Sequence, residues 1–155
     1  MSDLQIRRAV AADIPGIVAL LADDELGATR ESPHDLAPYR EAFAEIDADP
    51  RQFLAVAERG GRTVGTLQLT FLPGLSHRGG TRAQIEAVRI AGDARGRGLG
   101  TVLISWAVEE ARRRGCRMVQ LTSDAGRVDA RRFYERLGFT ASHVGFKLAL
   151  PDSAG

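Results

Sequence analysis

Cysteine is nearly absent from this chain: Cys116 is the single one in 155 residues. No internal disulfide can form, and no cysteine pair exists to anchor a structural zinc. With no histidine or acid near it in sequence, Cys116 reads as a small hydrophobe at the start of a strand rather than a nucleophile. Lysine is equally scarce, since Lys147 stands alone among 21 basic residues and the rest are arginine. The three histidines, His34, His77 and His143, have no metal-ligand spacing to any cysteine or acid, so no metal is expected. No apolar run approaches the length of a membrane span, and the opening "MSDLQIRRAV" lacks the apolar core of a signal peptide. These absences predict a cytoplasmic protein with no membrane association.

What is present suffices for one packed domain. Hydrophobic residues make up 44% and charged residues 26%, a balance that supports a buried core rather than a disordered chain. Net charge is only +1, yet its distribution is uneven: residues 1–50 carry 11 acidic and 4 basic side chains, the remainder 9 and 17. The acidic third could meet a cation and the basic remainder an anion, although most such charges are simply solvated. A nucleic-acid partner would ask for a continuous basic face, which the acidic third argues against.

No repeat, linker or low-complexity segment interrupts the pattern. "LQIRRAV" (4–10) has strand character, and Asp13 is placed to cap a helix that tolerates Pro15 in its first turn. Gly27 and "ATRESPHD" read as a loop before a second helix, "APYREAFAEIDAD", which Pro50 closes. Two β-prone runs around Gly60-Gly61 predict a hairpin, and "AQIEAVRI" a further strand. Leu99, Val102, Leu103, Trp106, Ala107 and Ala111 recur at helical spacing, with Gly115 as the stop. A strand ("RMVQLTS"), a short helix ending at Gly138 and a last strand ("SHVGFKLAL") follow. The expectation is one α/β domain over residues 1–150 with a mixed sheet, and a disordered tail over 151–155.

The densest motif is "RGRGLG", Arg95 to Gly100, between a strand and a helix. Glycines there let another group approach bare backbone, and a helix start presents N–H groups and positive potential to an anion. A Walker loop would need a lysine after the last glycine, and G-x-G-x-x-G/A fails in both registers. What remains is a pyrophosphate cradle to which Arg95 and Arg97 add charge.

These residues, after a strand ending in Val88-Arg89-Ile90, resemble the coenzyme A loop of the GNAT-type N-acetyltransferases, written Gln/Arg-x-x-Gly-x-Gly/Ala. "Phe133-Tyr134-Glu135-Arg136-Leu137-Gly138-Phe139" is similar to that family's second signature, and the order of elements matches over essentially the whole chain. The resemblance implies a GNAT acyltransferase fold: a single mixed, mostly antiparallel twisted sheet flanked by helices. It implies acetyl-CoA as acetyl donor. Backbone groups of Val88, Arg89 and Ile90 would meet the pantetheine arm, and Arg95, Gly96, Arg97, Gly98, Leu99, Gly100 and Thr101 the pyrophosphate.

The same resemblance places Tyr134 as the general acid for the leaving thiolate. Glu86 stands where several members carry a base acting through water. Strand alternation puts Glu86 on one face with Val88 and Ile90, an apolar setting unusual for a carboxylate; the alternative is an ion pair with Arg82 or Arg127. His77 is the reserve base, and both it and His34 also read as plain surface histidines, while His143 reads as structural. Arg127 stands where the family often has a coenzyme-contacting Asn. Thr122 replaces a Glu found in members that acetylate ribosomal-protein N-termini.

The expected acceptor is a primary amine on a cationic small molecule or a protein lysine, drawn by Asp23, Asp24, Glu25 and Glu31. The alternatives are a non-catalytic acyl-CoA sensor and an acetylating toxin acting on charged tRNA. Pairing through terminal strands offers a homodimer.

Overall fold

The computed structural model describes residues 3–152. The last part of the expected tail, 153–155, lies outside the described residues. By internal contacts the chain divides into two units, residues 1–121 and 122–155.

The first unit is built on a five-stranded sheet in the order β1-β2-β3-β4-β5. The strands are β1 (Leu4–Arg8), β2 (Gln52–Arg59), β3 (Arg62–Leu72), β4 (Arg82–Ile90) and β5 (Met118–Leu121). The first four pair antiparallel, and β5 joins β4 in parallel. Between β1 and β2 come α1 (Ile14–Ala22), α2 (Glu25–Arg30) and α3 (Ala37–Ala48). A single turn, α4 (Ser76–Gly79), precedes β4, and α5 (Leu99–Arg113) links β4 to β5.

Both faces of the sheet are covered, and for that reason Ala55, Val56 and Ala57 are buried in succession. On one face Val56 packs with Ala9 and Ile17, flanked by Leu21 and Phe43, so α1 and α3 lie there. On the other, Phe53 meets Trp106 of α5 edge to face at 5.1 Å. The buried stripe of α5 runs Leu99, Leu103, Ile104, Ala107, Ala111. Val102, expected in that stripe, is exposed, and Ile104 takes its share.

Local sequence signals mostly hold. Gly60 and Gly61 both take positive φ in the two-residue turn of the β2–β3 hairpin. At the end of α5, Gly115 N–H donates to Arg112 and Cys116 N–H to Ala111, the paired bonds of a left-handed C-cap. Burial pushes the Cys116 thiol up, as suits an inert side chain.

Three expectations need correction. Asp13 does not cap α1; its carboxylate takes a bidentate pair from Arg7 (2.7 and 2.9 Å) and the Val10 N–H. The stretch from Gly27 is not a loop start but the middle of α2. Gly27 is buried there because a Cβ would overlap the Leu21 carbonyl oxygen, so this glycine permits close packing instead of breaking the helix. The strand expected over 142–150 is also missing.

In the second unit, α6 (Val128–Arg136) ends in the same cap as α5. Gly138 N–H donates to Glu135 and Phe139 N–H to Tyr134. The Phe139 ring then meets Tyr134 at 5.8 Å, and Phe133 meets it at 5.1 Å. Residues 139–152 carry no helix or strand. His143, expected to be structural within a strand, is exposed with its Nδ1 2.7 Å from Ser142 Oγ.

The most buried charge is Glu110, on α5, bonded to Arg113 (2.6 Å) and Arg114 (3.1 Å). Arg114 in turn lies 4.1 Å above the Phe71 ring. Burial alone would raise the Glu110 carboxyl, but its two arginine partners hold it below the ordinary 4.5. A depressed carboxyl contributes stability above its unfolded pKa and loses it as pH falls through the folded value. Glu110→Gln should therefore cost about 1–2 kcal/mol at pH 7, and the gap from wild type should close below pH 4.5. Thermal melts of both proteins from pH 3 to 7 check this.

Candidate active site

β4 begins as a regular strand. Ala83 and Ile85 point under α5, and Gln84 and Glu86 point to the α1–α3 face, in register with Thr70 and Gln68 of β3. The register then shifts, because Gln68 opposes Glu86 while Thr66 opposes Arg89. An extra residue is thus accommodated in β4, at Ala87, whose φ is +55°. This is a β-bulge on a non-glycine residue, a conformation that costs energy and must be held by its surroundings.

The bulge changes which side chains share a face. Glu86 lies with Arg89 on the α1–α3 face, whereas Ile90 opposes Gly65 and lies with Ile85 under α5. Glu86 therefore does not share an apolar face with Val88 and Ile90, because strict alternation fails where the strand gains a residue. Glu86 is exposed and accepts a hydrogen bond from Thr70 Oγ1 at 3.3 Å. Arg82, one of its expected partners, reaches Gln120 at 3.5 Å instead.

The bulge also coincides with the end of pairing to β5. That strand is in register with Arg82 to Ile85 and stops at Leu121. From Glu86 to Ile90, β4 runs on with a backbone edge that β5 does not cover. Two carbonyls in this stretch accept side-chain donors: Val88 O from Arg89 (2.9 Å) and Ile90 O from Arg95 (3.2 Å). A ligand laid along β4 would share or displace these guanidinium bonds.

Beyond β4 the chain turns through Gly92–Ala94 and the glycine cluster into α5. Gly96 and Gly98 have φ of +79° and +77°, and an added Cβ on either would meet no protein atom within 4 Å. Glycine is required here by backbone conformation, with open space in front of the loop. Gly98 is the N-cap of α5 and offers no side-chain cap. Val102 N–H makes the first bond into the helix, to Gly98 O at 3.1 Å, so the amides of Gly98, Leu99, Gly100 and Thr101 precede the ladder. Leu99 buries its side chain and anchors the cradle from behind. An oxygen-rich anion suits such a site, and Arg95 and Arg97 flank it.

The segment joining α1 and α2 reaches the same region. Asp24 caps α2 through the Gly27 N–H, and its Oδ2 lies 2.9 Å from Arg89 Nε, an ion pair whose N–H is not aimed along the contact. Asp23 Oδ2 would be 3.7 Å from a Cβ on Gly92. Of the other acids expected to draw a cation, Glu31 accepts from Tyr39 Oη (2.9 Å) and Arg30 (3.2 Å). His77 stands elsewhere. With Arg78, Arg82 and Arg117 it lines a cavity of about 320 Å³ at the N-terminal end of β4, the end away from the glycine loop. His34 is exposed in the α2–α3 connection. In the second unit Tyr134 lies in the last turns of α6 and Arg127 is its N-cap. Sequence reasoning missed Ala87, and no residue-type signal could have found it: alanine does not advertise a positive φ.

The model of the acetyltransferase (GNAT) family matches residues 17–139, a span that includes the bulged strand and the glycine-started helix. The chain belongs to the GNAT family. It is 31% identical over 146 residues to the aminoalkylphosphonate N-acetyltransferase of Salmonella typhimurium, covering 94% of this chain and 91% of that protein. It is 32% identical over 145 residues to the L-methionine sulfoximine/L-methionine sulfone acetyltransferase of Pseudomonas paraeruginosa, covering 88% and 80%. Among solved structures, one of a Bacillus halodurans C-125 protein described as a transcriptional regulator superposes with a TM-score of 0.92. It is 47% identical and covers 95% of this chain and 99% of that one. This GNAT protein is an N-acetyltransferase and its acetyl donor is acetyl-CoA. The residues fit that donor: an open β4 edge for an amide-bearing arm, and a glycine cradle with two arginines for its phosphates.

Gly98 would resist substitution on φ alone, so Gly100, the second residue of α5, gives the cleaner test of the cradle. CoA at a hundredfold excess over Kd should raise the wild-type Tm by roughly 5–10 °C. Gly100→Val should melt close to wild type without ligand and lose the shift, which differential scanning fluorimetry reads directly.

Proposed function

We propose that this GNAT enzyme acetylates the primary amine of a small molecule by direct attack in a ternary complex. The observation that supports it is the bulge at Ala87. It brings Arg89 onto the face that Glu86 shares with the α1–α2 segment, and the stretch of β4 beyond it, which β5 does not pair, is left for the donor. Glu86 would take the ammonium proton through a water, since only the neutral amine attacks. Tyr134 would return a proton to the departing CoA thiolate. A module that merely senses acyl-CoA would need neither group.

A small acceptor fits better than a protein lysine or a charged tRNA. The two relatives named above act on an aminoalkylphosphonate and on amino-acid analogues, each a primary amine on a short frame that also bears an acidic group. The expected pull on a cation is reduced, because Asp24 and Glu31 already have partners. Asp23, placed beside Gly92, is what still favours a cationic acceptor. The acidic first fifty residues likewise argue against a nucleic-acid role of the kind the Bacillus halodurans description suggests.

Thiol release from acetyl-CoA should be fastest with 2-aminoethylphosphonate or methionine sulfone in a panel that includes spermidine, an aminoglycoside and a lysine peptide. A spermidine preference that weakens with salt would instead establish the cationic reading. With the best acceptor, Tyr134→Phe keeps the ring against Phe133 and Phe139. It should lower kcat about 10²-fold with little change in the KM for acetyl-CoA, the mark of an interaction made in the transition state. Near-normal turnover would remove Tyr134 from the chemistry.

A further inference from the structure

The turn between β3 and β4 is built against the preference of its residues. His77, Arg78 and Gly79 are left-handed in succession, with φ of +53°, +58° and +73°. Two consecutive residues that carry side chains hold such a φ only where their surroundings enforce it. Here Gly79 N–H donates to Leu75 O at 2.9 Å, and His77 O accepts from both Gly80 N–H (3.2 Å) and Arg117 Nη1 (3.3 Å). Gly80 is buried, and a Cβ there would stand 2.5 Å from Arg117 Cδ. The bare glycine therefore lets the arginine stem lie across the turn.

This strained turn gathers positive charge. His77, Arg78, Arg82 and Arg117 line one recess of about 320 Å³, completed by Gly80 and Met118, with no acid in its wall. Among the described residues none of these three arginines has an ion-pair partner. Arg82 reaches the Gln120 amide oxygen at 3.5 Å, and Arg117 the backbone oxygen of His77. Arg7, Arg62, Arg89 and Arg113, by contrast, each meet a carboxylate. Like charges converging on a recess repel one another and raise its potential, which an anion relieves. Backbone strain beside uncompensated charge is not what stability alone selects.

We propose that this recess binds the phosphoryl end of a small phosphorylated molecule, as a second anion site separate from the one for the coenzyme. Guanidinium forks match phosphate oxygens two at a time, and three of them supply the charge for a dianion. The volume stands at the lower end of small-molecule sites, enough for a phosphate or pyrophosphate with part of its carrier. Arg82 opens β4 and Ile90 closes it, so the recess and the glycine loop lie at opposite ends of that strand, roughly 25 Å apart. The assignment is independent of which amine the enzyme acetylates.

Calorimetric titration of inorganic pyrophosphate into protein saturated with CoA, so that the glycine loop is already occupied, tests it. Wild type should bind one pyrophosphate per chain, and citrate more weakly. Arg78→Gly and Arg117→Gln should each weaken pyrophosphate binding about tenfold or more, the loss of one charged hydrogen bond. Arg78→Gly also relieves a left-handed position, so it should melt at or above wild type while binding less. Arg112→Gln removes an equal charge from α5 outside the recess and should bind as wild type does. No binding to the CoA-saturated protein overturns the proposal, and so does an Arg112→Gln loss as large as that of the recess variants, the sign of diffuse attraction. If Arg117→Gln fails to fold, Arg78→Gly decides alone, and wild-type affinity in it overturns the proposal. Citrate binding as tightly as pyrophosphate removes the phosphoryl assignment. A single-stranded RNA oligomer that binds more tightly than pyrophosphate, and is weakened by the same variants, overturns the small-molecule assignment equally.

Discussion

The positive φ at Ala87 is the constraint around which the first unit is arranged. An extra residue in β4 rotates every side chain after it, so Glu86 and Arg89 come to one face and Ile85 and Ile90 to the other. A strained alanine persists only where its flanks are over-determined. Here β3 pairs on both sides of the bulge, Thr66 anchors itself to Ala55 O at 2.8 Å, and Ile85 is packed under α5. The residue that interrupts the ladder stands just past the point where pairing with β5 ends, so the stretch of β4 beyond it is not paired by β5.

Charge pairs tune the surroundings of that edge. Arg89 occupies both Val88 O and the neighbourhood of Asp24, and Arg95 occupies Ile90 O. Guanidinium groups are therefore in place along β4 before any ligand is, and they tie the α1–α2 segment to the strand it flanks. Away from the site, Glu110 plays a structural part, turning Arg114 over Phe71 at the far end of α5. The helix is thus held at both ends, by a buried Leu99 at its start and by an ion cluster near its finish.

In the second unit the Gly138 cap joins backbone to ring. The bond from Phe139 N–H to Tyr134 O returns the chain over the last turn of α6 and brings the two aromatic rings together. The motif Tyr-x-x-x-Gly-Phe is in this sense a packing unit whichever chemistry Tyr134 performs, and Phe at 134 preserves it.

Much of this was legible in the sequence. The hairpin at Gly60-Gly61, the stop at Gly115, the five strands of the sheet and the glycine loop are local matters, dictated by φ preferences and periodicity over a few residues. Family membership followed from such local motifs. The failures all involve partners that lie outside the element whose pattern was read. Asp13 has the composition of a cap, but Arg7 competes for its carboxylate across the β1–α1 turn. Gly27 looks like a breaker until Leu21 O is placed against it. The row from Val144 to Leu150 has the period of a strand, yet a strand exists only where another supplies hydrogen bonds. Which side chains share the face of Glu86 depended on one unannounced residue of bulge, which alternation cannot foresee because register is set by the neighbouring strand. The sequence by itself determined the local elements and the glycine loop; the tertiary structure alone decided which side chains share a face with the carboxylate and where the sheet stopped, because both depend on pairing between segments.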